Sequence, residues 1–405
     1  MIPWCAPSCP PRRSFVASDA RRRGQLCTVP TRPDSTYKSG KAVQRTGATS
    51  NVGQAMNVRN SEIMQISLDS DSNRSVAPVF DEVVLLCPEA CTGGPEAIHQ
   101  LAHAINSQGG SAKLAYFEGE SKVSLDNSVL RCELPTSGSP TAKSYASYAP
   151  KIFSELKLTK NVLLVFPEVV AAIARNVQGC QRAVWWLSVD NALRKDPRLE
   201  NQSFRNHLFS DPALIHFYQS DYARDFLLRN RARRIYPIFD YTDKSFAPPL
   251  ARLPGAKIAY FPSKGGELAR RFVQGAPDLQ FSAIANMTRE QVRQTLQDSS
   301  IFIDFGNQPG KDRVPREAAA SGAIVLLHER GAANFFTDHP LDEQYLFGLA
   351  DIESGGLHHR VRAILSDLDT HRKNQAYYRQ RILLERDEFE MQVKAFFFSG
   401  TPCRC

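Results

Sequence analysis

Two doubly wound α/β domains facing across a cleft, with C-terminal helices behind them and a disordered leader in front, are the architecture this sequence predicts. Three observations predict it. Apolar runs such as Val83–Cys87 and Ile301–Phe305 are continuous rather than alternating, the mark of strands buried on both faces. Helical stretches separate several of these runs, and such alternation means a parallel sheet covered by helices. A proline cluster, Pro248, Pro249 and Pro254, divides the alternation into two cycles.

The first cycle opens at Val83–Cys87. A loop with Gly93-Gly94-Pro95 follows, then Ala97, Ile98, Leu101, Ala102 and Ile105 at helical spacing, ended by Gly109-Gly110. Lys113–Tyr116, Val162–Phe166, Ala183–Leu187, Ile215–Gln219 and Arg234–Ile238 are the further strands. In the second cycle Lys257–Phe261, Leu279–Ile284, Ile301–Phe305 and Ala323–Leu327 read as strands. Gly266–Gln274, Thr288–Asp298 and Pro315–Ser321 read as helices, the second opened by a Thr cap. Residues 356–398 are charged and helical. The domain reading is a leader at 1–76, an N-terminal Rossmann-like domain at 77–240, a C-terminal one at 241–380, and a helix and tail at 381–405.

The 405 residues carry a net charge of +8, with 42% hydrophobic and 23% charged side chains, the profile of a soluble enzyme. Residues 1–64 hold ten basic and three acidic side chains, a net +7, so the remainder is nearly neutral. That placement argues against a nucleic-acid binder, whose field would have to come from the leader alone. The leader is rich in Ser, Thr, Pro, Arg and Asn and lacks periodicity, so it reads as disordered. Met56 or Met64 would each serve as a true start. No apolar run reaches 18 residues and no secretory signal is evident. The nine cysteines, an odd number, fit reduced thiols in the cytoplasm. Neither Cys87/Cys91 nor His99/His103 finds the further ligands a metal site requires.

Four segments carry a resemblance. Gly93-Gly94-Pro95-Glu96 follows the first strand, where glycines let the backbone approach a ligand and a helix offers free N–H groups. Arg234–Asp240 leaves the first domain. Lys264-Gly265 ends the second domain's first strand. Gly306 to Ala318 holds Gly310, Lys311, Asp312, Arg313, Arg316 and Glu317 at a helix start. Together they resemble the GT-B glycosyltransferases of the large retaining family 4, also known as glycosyl transferases group 1, over about three quarters of the chain.

The resemblance implies a hexosyltransferase-type, metal-independent enzyme without a cofactor. Its donor would be a nucleoside-diphosphate sugar and its acceptor a glycan or lipid-linked molecule, with a role in cell-surface polysaccharide synthesis. It would work in the cytoplasm or at the inner membrane face. Carried onto this sequence, it makes Lys264 a diphosphate ligand, Glu317 the ribose ligand, and Gly93 and Gly94 neighbours of the donor sugar. The family's motif has two Glu separated by seven residues, which puts the first at a position occupied here by Pro309, and Asp312 is the obvious substitute. Independently of the family, Lys311, Arg313 and Arg316 gather at a helix N-terminus as an anion site; exposed basic residues there are the plain alternative.

Trp186, Asp190 and Asn191 end a strand of the first domain and suit an acceptor sugar, with Asp190 as base if the reaction inverts; a core Trp beside a capping Asp is the alternative. A non-catalytic GT-B-like binding protein and a nucleotide-sugar epimerase remain the rival functions.

Overall fold

The computed structural model describes residues 78–399 apart from 118–122, 127, 133, 135–139 and 248–254, so the expected leader lies outside the described residues. The first half runs β1 (Glu82–Pro88), α1 (Gly93–Ser107), β2 (Ala112–Phe117), β3 (Val123–Asp126), β4 (Val129–Cys132), α2 (Pro140–Ser144), β5 (Glu155–Lys157) and β6 (Val162–Pro167). It continues with β7 (Gln181–Trp186), α3 (Val189–Lys195), α4 (Gln202–Ser210), β8 (Leu214–Tyr218), α5 (Asp221–Arg229) and β9 (Ile235–Pro237). The second half runs β10 (Gly255–Tyr260), α6 (Glu267–Gly275), β11 (Gln280–Ala283), α7 (Arg289–Gln297), β12 (Ser299–Asp304), α8 (Arg313–Ala320), β13 (Ile324–His328) and β14 (Leu346–Phe347). Four helices close the chain: α9 (Leu349–Glu353), α10 (Gly356–Ser366), α11 (Leu368–Asn374) and α12 (Ala376–Phe397).

All six strands expected in the first cycle form one parallel sheet, in the order β2-β1-β6-β7-β8-β9. The second sheet, β11-β10-β12-β13-β14, is parallel throughout. In each, the chain steps to one side of the first strand and then returns to its other side. The strand order therefore switches between β1 and β6, and again between β10 and β12. Such a switch point opens a crevice beyond the carboxyl ends of the two strands. The small antiparallel sheet β3-β4-β5 was not expected, because its strands are only three or four residues long and interrupted by polar turns.

Two helix starts differ from expectation. α1 begins at Gly93 itself, so the glycine pair forms its first turn rather than the loop before it; Thr92 is the N-cap and offers no side-chain bond. α8 begins at Arg313, two residues before Pro315. A proline is tolerated in the first turn, where the N–H it lacks would have had no partner within the helix.

Helices cover both faces of the first sheet, with Trp185 in the core on one face and Trp186 in the core on the other. α12 joins the two halves. Its Tyr378 and Ile382 pack in the second domain's core, while Phe389, Val393 and Phe397 pack in the first domain's. A boundary at residue 380 thus cuts through a continuous helix. On the opposite side, Asp338 of the second half accepts from the Asp221 and Tyr222 amides at 2.8 and 3.0 Å, capping α5 of the first.

Asp338→Ala should remove about 1 kcal/mol of capping. Hydrogen exchange at the Asp221 and Tyr222 amides should then quicken roughly fivefold, while amides of β6 and β7 stay unchanged; equal exchange in both proteins would mean the cap does not hold the halves together.

Candidate functional site

The loops after the two switch points face each other across a cleft of about 960 Å³. From the first domain, Gly93, Gly94, Glu168, Leu187 and Asn191 line it; from the second come Lys264, Lys311, Asp312, Arg313 and Glu317. Most of the residues singled out from the sequence therefore converge. Their surroundings differ sharply.

Arg313 lies against α1: a Cβ added at Gly93 would come within 2.9 Å of Arg313 Cδ, so the glycine leaves the guanidinium its place. Arg313 Nη2 pairs with Glu96 Oε1 at 3.2 Å and donates to the Tyr241 carbonyl at 3.3 Å. Its Nε stands 3.8 Å from Glu317 Oε1, too far for a hydrogen bond, and neither Nε nor Nη1 has a hydrogen-bond partner. A buried guanidinium with two unused donors beside the first turn of a helix is an anion-binding arrangement. Glu96 also accepts from Arg289 at 2.8 Å and from the Tyr148 hydroxyl at 3.1 Å. Burial works against its charge, but Arg313 and Arg289 outweigh it and hold the carboxyl below the usual range. At Glu317 burial prevails over the same arginines and pushes the carboxyl up.

Lys264 is already occupied. Its ammonium contacts Asp304 at 3.1 Å and makes a short bond to Asp312. Burial opposes the charge, yet the two carboxylates outweigh it and keep the lysine protonated. Asp312, the expected substitute carboxylate, is thus tied to Lys264, and burial together with Asp304 raises its own pKa.

Four expectations need correction. Arg316 is not at the cleft: it is fully buried, and its guanidinium bonds Asp240 at 2.8 and 2.9 Å and Glu385 at 2.9 Å. Trp186 cannot stack on a sugar, being wholly enclosed beside Phe209 and Phe226 and donating to His216 at 3.1 Å. Asp190 does not line the cleft. One of its oxygens accepts from the Tyr222 hydroxyl at 2.6 Å and the other from the Asn307 amide. Gly310 does not line the cleft either; it is pressed on the first domain so closely that a Cβ would lie 2.1 Å from the Leu187 carbonyl oxygen. Lys311 lines the cleft, but its ammonium pairs with Glu385 at 3.0 Å.

Sequence reasoning missed Glu168. It directly follows β6, is buried, and accepts weakly from the Leu187 amide at 3.4 Å. No cation of the described residues pairs with it. Burial pushes its carboxyl up to about 8, offset only in part by its own N–H and that of Leu187. The signal was present in Pro167-Glu168, at the end of an expected strand, but its significance depends on strand order.

No family model matches the chain, and no curated protein matches it. Solved structures do. A sucrose-phosphate synthase from Thermosynechococcus elongatus superposes with a TM-score of 0.53 at 12% identity, covering 78% of this chain and 98% of that one. Anabaena Alr3699/HepE in complex with UDP-glucose gives the same TM-score and identity over 78% and 98% of the two chains. Its complex with UDP and glucose gives 0.53 and 12% over 78% and 99%. The chain has the GT-B glycosyltransferase fold. Among the described residues no helix is long and apolar enough to cross a membrane.

Two outcomes follow from the buried charges. Arg316→Ala leaves Asp240 buried without its paired cation and Glu385 with Lys311 alone, and should cost about 3–5 kcal/mol in urea unfolding; a loss under about 1 kcal/mol would contradict the network. For Glu168, the folded pKa of about 8 lies above the ordinary 4.5, so the folded chain keeps a proton that the unfolded chain releases. Its penalty therefore grows as pH rises from 4.5 towards 8. Glu168→Gln should be more stable than the parent at pH 8, by an amount of order a few kcal/mol. The gap should close near pH 5, and a pH-independent gap would refute the burial argument.

Proposed function

We propose that the protein is a glycosyltransferase that binds a nucleoside-diphosphate sugar across this cleft and passes the sugar to an acceptor hydroxyl. The observation that carries the reading is Arg313. Arg313 lines a cleft formed by both switch points, beside the first turn of α1, and its Nε and Nη1 have no hydrogen-bond partner. Neutralising a diphosphate leaving group is the main electrostatic task in glycosyl transfer, and preorganised donors at a low-dielectric site do it well. The Anabaena structure with UDP-glucose supports the same class of donor for a similarly folded chain.

In this reading Arg313 and the Gly93 and Gly94 amides hold the diphosphate. Glu317, at the head of α8, takes the ribose hydroxyls. Lys264 reaches phosphate only when Asp312 or Asp304 yields it. The family 4 assignment, the hexosyl donor, metal independence, a cytoplasmic place of work and a polysaccharide or lipid-linked acceptor belong to the same proposal. A non-catalytic binding role is favoured by one feature, the loop 306–312 held firmly against the first domain through Gly310 and Lys311.

Thermal shift of the full chain with UDP, GDP, ADP, CMP and their sugar conjugates tests the reading. One diphosphate should stabilise the protein, by about 2.7 kcal/mol at a hundredfold excess over Kd. Arg313→Ala should abolish that shift and Glu317→Ala should reduce it. Absence of a shift with every nucleotide would end the proposal; a shift without any transfer or hydrolysis would leave the binding role.

A further inference from the structure

We propose that the first domain's side of this cleft is an acceptor site for an alcohol carried on an apolar skeleton, aromatic or prenyl-like, rather than for a sugar. The assignment rests on the nucleotide-sugar reading above and narrows its acceptor. The two walls of the cleft differ in chemistry. Every second-domain residue on the lining is charged except Val314. The first domain's side is mostly apolar, with Phe117, Pro167, Val169, Val170, Ile173 and Pro197. Phe117 ends β2 and Pro167 ends β6, while Val169 to Ile173 belong to the 3₁₀ segment Glu168–Asn176 that follows β6. That segment breaks at Val170, whose φ of −126° and ψ of 22° are not helical, and residues on both sides of the break line the cleft.

This wall is more than the edge of a core. Val169 packs against none of the three hydrophobic cores, and Ile173 is 36% exposed. Single exposed apolar side chains are ordinary, but these share one concave lining with few free polar groups, the usual form of a site for a small organic molecule. The donor leaves the wall open. With the ribose at Glu317 and the diphosphate at Arg313, Gly93 and Gly94, the nucleobase extends beyond the ribose, away from the diphosphate. The cleft's volume of about 960 Å³ is near the top of the range of about 300–1,000 Å³ for small-molecule pockets, so a second molecule has room beside the donor.

A sugar ring is a poor match for such a wall. It carries hydroxyls around its edge, and each one laid on an apolar surface loses a hydrogen bond to water without replacement. Several of the polar groups here are already engaged. The Asn191 side-chain oxygen accepts from Arg194 at 2.8 Å, and Asp196 holds Arg198 at 2.8 and 2.9 Å. Glu168 is buried and keeps its proton up to about pH 8, so it adds no fixed charge near neutrality. The cations on this side, Lys195 and Arg198, are exposed residues. An apolar skeleton has no such hydrogen bonds to lose and gains by leaving water.

The test uses the full chain and the sugar conjugate giving the largest thermal shift. Naphthol and farnesol serve as apolar acceptors, methyl glucoside and maltotriose as saccharide acceptors. The readouts are release of the nucleoside diphosphate above the water background and the mass of the product. The apolar alcohols should exceed the saccharides in kcat/KM by about tenfold or more, and whichever of the two leads names the skeleton. Ile173→Ser should raise KM for that alcohol about tenfold, with kcat and the donor's thermal shift kept, because only uniform binding is lost. Ile173→Leu should return KM close to the parent's. Saccharides used as well as the apolar alcohols overturn the proposal, as does donor binding with no apolar alcohol accepted. An unchanged KM in Ile173→Ser also overturns it, and so does a lost donor shift, which would put the wall under the donor instead. If no sugar conjugate binds, the nucleotide-sugar reading fails and the acceptor assignment falls with it.

Discussion

A single buried guanidinium holds the two halves in register. Arg316 reaches Asp240 at the connection between domains, Glu385 on the helix that crosses back, and the Lys311 carbonyl in the loop after β12, at 2.8 to 2.9 Å. Gln219 adds a bond to Asp240 at 2.8 Å, and Thr242 donates twice to Glu385 at 3.0 Å. Burial works against both carboxylates, yet Arg316, joined by Arg313 at Asp240 and by Lys311 at Glu385, outweighs it and holds both below the usual carboxylate range. Buried ion pairs stabilise a fold only weakly against apolar alternatives, but a satisfied network admits few geometries. Here that geometry fixes the Lys311 loop and the first turn of α8. The cleft residues Arg313 and Glu317 take their positions from it.

The contrast between Arg316 and Arg313, three residues apart on one helix, separates scaffold from site. Arg316 points into the seam and its contacts are met by side chains and carbonyls. Arg313 lines the cleft, with Nε and Nη1 unmet. Desolvating an arginine without satisfying it is costly unless something else supplies the acceptors. Glu168 is the acidic counterpart, a carboxylate desolvated without a cation. Both unmet groups line one cleft, Glu168 just after β6 and Arg313 at the start of α8, while Lys264, the residue the family resemblance favoured, is closed off by its own carboxylates.

The strands were legible because a parallel sheet buries both faces, so each strand reads as an unbroken apolar run. The same fact misled at Trp186. A Trp at a strand end before Asp190-Asn191 suggests a sugar platform, yet in a sheet covered on both faces neither Trp185 nor Trp186 can reach solvent. Local chemistry located the α8 site but could not tell Arg313 from Arg316. That distinction depends on Glu385, which is 69 residues distant from Arg316 in sequence. Glu168 stayed hidden for a related reason. A Pro-Glu pair after a strand is unremarkable until strand order places β6 beside β1.

The departure at Pro309 becomes intelligible in these terms. The loop around it works as a wedge: Asn307 bonds Asp190, Gly310 touches the Leu187 carbonyl, and Lys311 exchanges two backbone bonds with the Gln219 side chain at 3.1 Å. A loop pressed so closely on the opposite domain has little room to project a carboxylate at its tip. Proline, with its fixed φ, suits a segment whose shape must be held. The acidic groups that remain near the cleft without a tight ion pair are then Glu317, on the helix beyond the wedge, and Glu168, on the strand end across from it. A loop with proline at position 309 does not leave the cleft without acids. The acid without a cation stands on the first domain, at Glu168.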